Sequence, residues 1–146
     1  MQGDFDGDGL ADVAVYRPSN GAWYILQSST NYTQFVYYIW GQPGDVPIQG
    51  DFDGDGKTDV VVYRPSNGAW YILQSSTNYT AFVYYIWGQP DDVPIKSDFD
   101  GDGRTDVAVY RPSNGAWYIL QSSTNFTRFV YYIWGLAGDI PVLRSP

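Results

Sequence analysis

A single unit of 47 residues is written three times in this chain, and no other feature restricts its fold as strongly. The run Asp4-Phe5-Asp6-Gly7-Asp8-Gly9 returns at 51–56 and again at 98–103. Residues 2–48 and 49–95 differ only at Leu10/Lys57, Ala11/Thr58, Ala14/Val61, Gln34/Ala81 and Gly44/Asp91. The third copy, 96–142, drifts further, with Leu136-Ala137 where the others have Gln-Pro. Such identity marks an array amplified recently or symmetrised deliberately. Units this short bury their apolar residues by packing on one another, so 1–146 reads as one repeat domain.

Each copy reads as four short strands and no α-helix. Residues 12–17 (DVAVYR) alternate and are β-branched, and the Pro18-Ser19-Asn20-Gly21 turn that follows predicts a hairpin. Residues 22–28 (AWYILQS) form the second strand, 35–40 (FVYYIW) the third and 46–50 (VPIQG) the fourth. In FVYYIW, Phe35, Tyr37 and Ile39 point one way while Val36, Tyr38 and Trp40 point the other. Both faces are apolar, so each small sheet must be covered on both sides. Blades of a β-propeller meet that demand, and about 40–50 residues is the usual length of a four-stranded blade. Pro47 and Pro94 in the fourth strand mark a sheet edge, since proline donates nothing to a ladder. The expected fold is therefore all-β, with propeller blades of four antiparallel strands. A three-repeat β-trefoil monomer is the alternative.

The acids are concentrated. All 16 are Asp, and twelve lie in three copies of one loop. In the first copy the pattern is Asp4-x-Asp6-x-Asp8-Gly9-Leu10-x-Asp12. Calcium takes six to eight oxygens at about 2.3–2.6 Å, and carboxylates at alternate positions of a tight loop converge on one point. Leu10 would offer its carbonyl oxygen, which explains why Lys57 and Arg104 can stand at that place in the other copies. The equivalent carboxylates are Asp51, Asp53, Asp55 and Asp59, then Asp98, Asp100, Asp102 and Asp106. An EF-hand is excluded, because Val15 stands where a bidentate Glu is required and the flanks are strands. One Ca²⁺ per repeat would take the formal charge from −8 to −2.

Together with the strand and turn that follow it, this loop forms the stretch GDFDGDGKTDVVVYRPSNGAWYI, which resembles the FG-GAP/VCBS repeats of integrin-like β-propellers, and the likeness extends over essentially the whole chain. The resemblance implies a calcium loop between the inner and second strands of each blade. It also implies an extracellular or cell-surface role in adhesion, carbohydrate binding or support of secreted enzymes.

Composition narrows the function. There is no His and no Cys, and Glu is absent too, so the usual general bases, nucleophiles and thiolate metal sites are missing. Eight Lys plus Arg against 16 acids argue against nucleic acid and against an anionic membrane surface. No apolar run is long enough to span a bilayer, and 1–4 begin no secretory leader. Near-identical repeats suit a reused binding surface better than one asymmetric active site. The expected function is a calcium-stabilised scaffold or multivalent binding module without catalysis. A lectin-like carbohydrate binder and an accessory domain of a secreted polysaccharide enzyme are the alternatives.

Tyr32, Tyr79 and Phe126 lie in a polar loop, where they either stack on sugars or fold back onto a sheet; the Tyr-to-Phe change suggests that the ring, not the hydroxyl, matters. Asn31, Asn78 and Asn125 open Asn-x-Thr patterns best read as unmodified turns. Arg17, Arg64 and Arg111 are expected to pair with a loop Asp or a carbonyl rather than to form an anion site. Residues 2–9 form an acidic loop with no inner strand before it, and 139–145 (DIPVLRS) read as an inner strand with no blade of its own. Clasping the two between chains predicts a head-to-tail cyclic homo-oligomer, a trimer of nine blades in preference to a dimer of six.

Overall fold

The computed structural model describes residues 3–142 and contains three antiparallel sheets. The first blade is three-stranded: β1 (Val13–Arg17), β2 (Ala22–Leu26) and β3 (Phe35–Ile39). The second is a four-stranded meander of β4 (Val46–Gly50), β5 (Asp59–Arg64), β6 (Ala69–Leu73) and β7 (Phe82–Ile86). The third repeats it with β8 (Val93–Ser97), β9 (Asp106–Arg111), β10 (Ala116–Leu120) and β11 (Phe129–Ile133). The sheets stay separate and sequential, which is the arrangement of propeller blades. None closes into the barrel that a trefoil requires.

β4 and β8 are edge strands, as their prolines demand, with Pro47 opposite Val62 and Pro94 opposite Val109. These two innermost strands also approach each other across the blade boundary. The hairpin after β1 depends on glycine rather than on Asn-Gly as a pair. Gly21 has φ +68°, its amide donates to Arg17 C=O, and a Cβ there would strike the Gly41 backbone, whereas Asn20 stays outside the left-handed region.

The second strand ends earlier than the sequence suggests. Ser28 leaves it to open a one-turn 3₁₀ helix at Ser28–Thr30, repeated at Ser75–Thr77 and Ser122–Thr124. Asn31, Asn78 and Asn125 close these turns in the left-handed conformation, a structural role that accounts for the Asn-x-Thr patterns.

The core lies between blades. One cluster joins Trp23 and Ile25 of the first blade to Val60, Val62, Leu73 and Tyr79 of the second. Its counterpart joins Tyr63, Trp70 and Ile72 to Val107, Val109 and Phe126. Two tryptophans stitch these junctions. The Nε1–H of Trp40 donates to Tyr71 C=O at 3.1 Å, and that of Trp87 to Tyr118 C=O at 3.1 Å. Asp45, buried, accepts both arms of Arg64 at 2.8 Å, and Asp92 does the same for Arg111 at 2.9 Å. The two arginines are thus held in bidentate pairs, which leaves no anion site at them. Asp139–Val142 belong to no strand, and 143–145 of the expected closing strand lie outside the described residues.

Candidate metal centre

Each acidic loop links an inner-strand position to the second strand of its blade: 51–58 run from β4 to β5 and 98–105 from β8 to β9. Paired glycines make the turn. Gly7 and Gly9 have φ +84° and +91°, with Gly54/Gly56 and Gly101/Gly103 alike. The loop's own amides then orient its carboxylates. Asp4 accepts from the Gly7 and Gly9 amides at 2.7 and 2.9 Å, and Asp6 accepts from Ser29 N–H at 3.1 Å.

Three carboxylates per repeat bring one oxygen each within 4.8 Å of the others: Asp4, Asp6 and Asp8; Asp51, Asp53 and Asp59; Asp98, Asp100 and Asp106. Oxygens on opposite sides of a calcium ion, each about 2.4 Å from it, stand about 4.8 Å apart, so these clusters have the dimensions of a single coordination sphere. In the third cluster Asp100 Oδ1 is buried with no hydrogen-bond partner, an orphaned anionic oxygen that a cation would satisfy. Each repeat therefore carries a carboxylate cluster able to hold a metal ion.

The four-carboxylate set read from the sequence is split. The first loop groups its fifth-position Asp8 with Asp4 and Asp6, whereas the other two group their ninth-position Asp59 or Asp106 instead. A serine hydroxyl bridges the fifth- and ninth-position carboxylates, and it is absent from the expected ligand set. Ser28 Oγ lies 2.8 Å from both Asp8 Oδ1 and Asp12 Oδ1, and 3.5 Å from the Leu10 carbonyl. Ser75 stands likewise between Asp55, Asp59 and the Lys57 carbonyl, and Ser122 between Asp102, Asp106 and the Arg104 carbonyl. Each serine thus gathers the fifth-, seventh- and ninth-position oxygens.

Electrostatics divide the carboxylates too. Burial pushes Asp59 up to about 7 against the hydrogen bonds from Ser75, and burial also raises Asp51 and Asp106. At Asp6, Asp53 and Asp100 burial acts in the same direction, but hydrogen bonds from Ser29, Ser76 and Ser123 outweigh it and the net shift is downward. A cation among them would favour the charged form of every member.

Two of the three loop aromatics serve the junctions, while Tyr32 is exposed and donates its hydroxyl proton to Ala11 C=O of its own repeat. Tyr79 and Phe126 are buried against Tyr38 and Tyr85 of the preceding blade, at centroid distances of 4.7 and 4.8 Å. Neither offers a face to a sugar. The hydroxyl matters where it is present: Tyr79 Oη lies 2.8 Å from Phe5 C=O and 2.7 Å from Thr58 C=O, with one proton to share between them. Phe126 has no hydroxyl, and there Arg104 Nε–H donates to the equivalent carbonyl, that of Phe52, at 3.1 Å.

Successive meander blades, each with an acidic loop leading into its second-strand position, define a propeller-type repeat protein. The FG-GAP-like repeat family matches residues 4–62 and the FG-GAP repeat family matches residues 49–86. Residues 4–86 are FG-GAP-type repeats, and 96–142 repeat the same unit. No curated protein and no solved structure matches it.

Proposed function

We propose that this chain is a calcium-stabilised propeller scaffold, a multivalent binding module without catalysis that works outside the cell or at its surface. The observation that carries this reading is the threefold recurrence of an all-oxygen carboxylate cluster at the same place in every repeat. Hard oxygen ligands without nitrogen or sulfur suit Ca²⁺, and Mg²⁺ retains its waters too firmly for a cage made wholly of protein. Sites of this kind in extracellular modules bind in the range of about 10⁻⁴–10⁻³ M, which matches calcium outside the cell. Burying Asp59 as a carboxylate is costly without a cation, and Ca²⁺ turns that cost into stabilisation. Threefold repetition suits valency, and two of the three loop aromatics that a carbohydrate site would use, Tyr79 and Phe126, are consumed at the blade junctions.

Equilibrium dialysis at about 10 mM calcium, at least tenfold above that range, should find close to three Ca²⁺ per chain. Calcium should also raise Tm, each site adding about 2.7 kcal/mol when free calcium is a hundred times its Kd. Far fewer than three ions bound, with an unchanged Tm, would remove calcium from the reading. Among the described residues no helix is long and apolar enough to cross a membrane.

A further inference from the structure

The two internal junctions show what each blade face binds, and the outermost blades carry unused halves of the same junction. The open face of the third blade presents Trp117, Ile119, Val130, Tyr132 and Trp134 around a hollow of about 540 Å³. These are the equivalents of Trp23, Ile25, Val36, Tyr38 and Trp40, one half of the first junction's core. The other half of that core is Val60, Val62, Leu73 and Tyr79. Its equivalents in the first blade are Val13, Val15, Leu26 and Tyr32. Val13 and Val15 are each 56% exposed where Val60 and Val62 are at most 1%, and Trp134 is 82% exposed.

We propose that the third-blade face of one chain binds the first-blade face of a second copy, head to tail, reproducing the internal junction. Each contact has a counterpart waiting. Trp134 Nε1–H would reach the Tyr24 carbonyl of the second copy, as Trp40 reaches Tyr71 and Trp87 reaches Tyr118. Its ring would meet Phe35, as Trp40 meets Phe82 at 5.1 Å. Arg17, which has no acidic partner among the described residues, would clasp Asp139 as Arg64 clasps Asp45. A Cβ on Gly7 or Gly54 would touch Lys57 or Arg104 across a junction, while Gly101 faces nothing within 4 Å; Leu10 of the second copy fits there. The second copy's Tyr32 keeps the hydroxyl that would bind the Phe99 carbonyl, and neither Lys nor Arg stands at Leu10 to replace it.

Edge pairing completes the match. Among the described residues no inner strand pairs with β1 as β4 pairs with β5 and β8 with β9. Extending the β4–β5 and β8–β9 registers places Ile140 opposite Tyr16 of the second copy, Pro141 opposite Val15 and Val142 opposite Ala14. Such a heterologous contact generates a ring when its rotation closes. Three chains with nine blades and two chains with six would use this one junction.

The test is the mass of the 146-residue chain in solution, by light scattering and analytical ultracentrifugation in calcium. A discrete species of two or three times 16.4 kDa is expected, and a 16.4 kDa monomer at every concentration overturns the proposal. Trp134→Glu should return the chain to a monomer with an unchanged circular dichroism spectrum, since that side chain already faces solvent. Ile133→Glu is the control. Its equivalents Ile39 and Ile86 are 59% and 58% exposed even beside an internal junction, so it should leave the mass unchanged. Arg17→Asp or Asp139→Arg alone should weaken association on the order of a hundredfold, and the double reversal should restore it. Loss of the oligomer with Ile133→Glu, or its persistence with Trp134→Glu, places association elsewhere and refutes the junction. Calcium stoichiometry is read separately, so failure here leaves the metal reading standing.

Discussion

Tyr79→Phe is the sharpest probe of how the blades are joined, because the chain already contains its own compensated version one junction along. The substitution deletes one buried hydroxyl whose proton is shared between the Phe5 and Thr58 carbonyls. Losing one hydrogen bond and leaving buried acceptors short of a donor costs about 1–2 kcal/mol. In a domain of this size that is a fall in Tm of roughly 3–6 °C. Lys57 lies 5.7 Å above the Tyr79 ring and makes no hydrogen bond to Phe5, whereas Arg104 beside Phe126 donates to Phe52. Lys57→Arg in the Tyr79→Phe background should therefore recover about 1 kcal/mol. The same change alone should recover little, since the carbonyl is already occupied. Urea denaturation of all four proteins, at saturating calcium and one protein concentration, closes the cycle. Additivity within about 0.3 kcal/mol would show that residues 57 and 79 act independently and would refute the compensation.

Gly68→Ala should cost more than about 2 kcal/mol, because φ is +70° and the new Cβ would strike the Gly88 backbone; Gly56→Ala, at φ +87° with open space around it, should cost only about 1 kcal/mol, and thermal melts separate the two. Lys96→Gln should stabilise the fold by roughly 0.5 kcal/mol at neutral pH, since burial lowers Lys96 below its ordinary 10.5 and Gln49 shows that the amide fits the equivalent place. A depressed lysine penalises folding below its folded pKa and ceases to do so above 10.5, so the unaltered chain should gain stability as pH rises toward 10.5 and the Lys96→Gln chain should gain less.

The strands and their order were readable because they rest on local chemistry: alternation in FVYYIW, proline at an edge, glycine at a turn. The copy spacing then set those strands in successive blades. What stayed hidden was tertiary. Ser28, Ser75 and Ser122 read as ordinary turn residues, and only the folded hairpin brings their hydroxyls to Asp12, Asp59 and Asp106. Their invariance carried no signal in an array where nearly everything is invariant. The informative positions were those at which the copies disagree. Lys57 gives way to Arg104 alongside the change from Tyr79 to Phe126, and the structure places each pair together within one blade, where Tyr79 in one and Arg104 in the other reach a carbonyl of the preceding repeat. Read singly, the Tyr-to-Phe change suggested a dispensable hydroxyl; read with the Lys-to-Arg change, it marks a donor that moved to another side chain.

The loops and the junctions are parts of one construction, and this orders the three metal sites. The second loop is supported from both sides: Asp51 C=O accepts Thr105 N–H at 2.8 Å from the next repeat, and Asp59 is buried where β5 pairs with β4. The first loop has the following repeat, through Thr58 N–H to Asp4 C=O at 2.8 Å, but among the described residues no inner strand beside β1. The third has its inner strand β8, but among the described residues no following repeat packs on it, and Asp98 is exposed. A rigid, enclosed site binds a cation more tightly than an open one with the same ligands. In the Trp134→Glu chain, whose outer faces stay uncovered, isothermal titration should resolve one site about tenfold tighter than the other two. Asp53→Ala should abolish that site, while Asp100→Ala should remove a weaker one. In the unaltered chain the neighbouring copies would cover both ends, and the three affinities should converge. Three equal sites in the Trp134→Glu chain, or loss of the tightest one with Asp100→Ala, would break the link between blade contact and ion affinity.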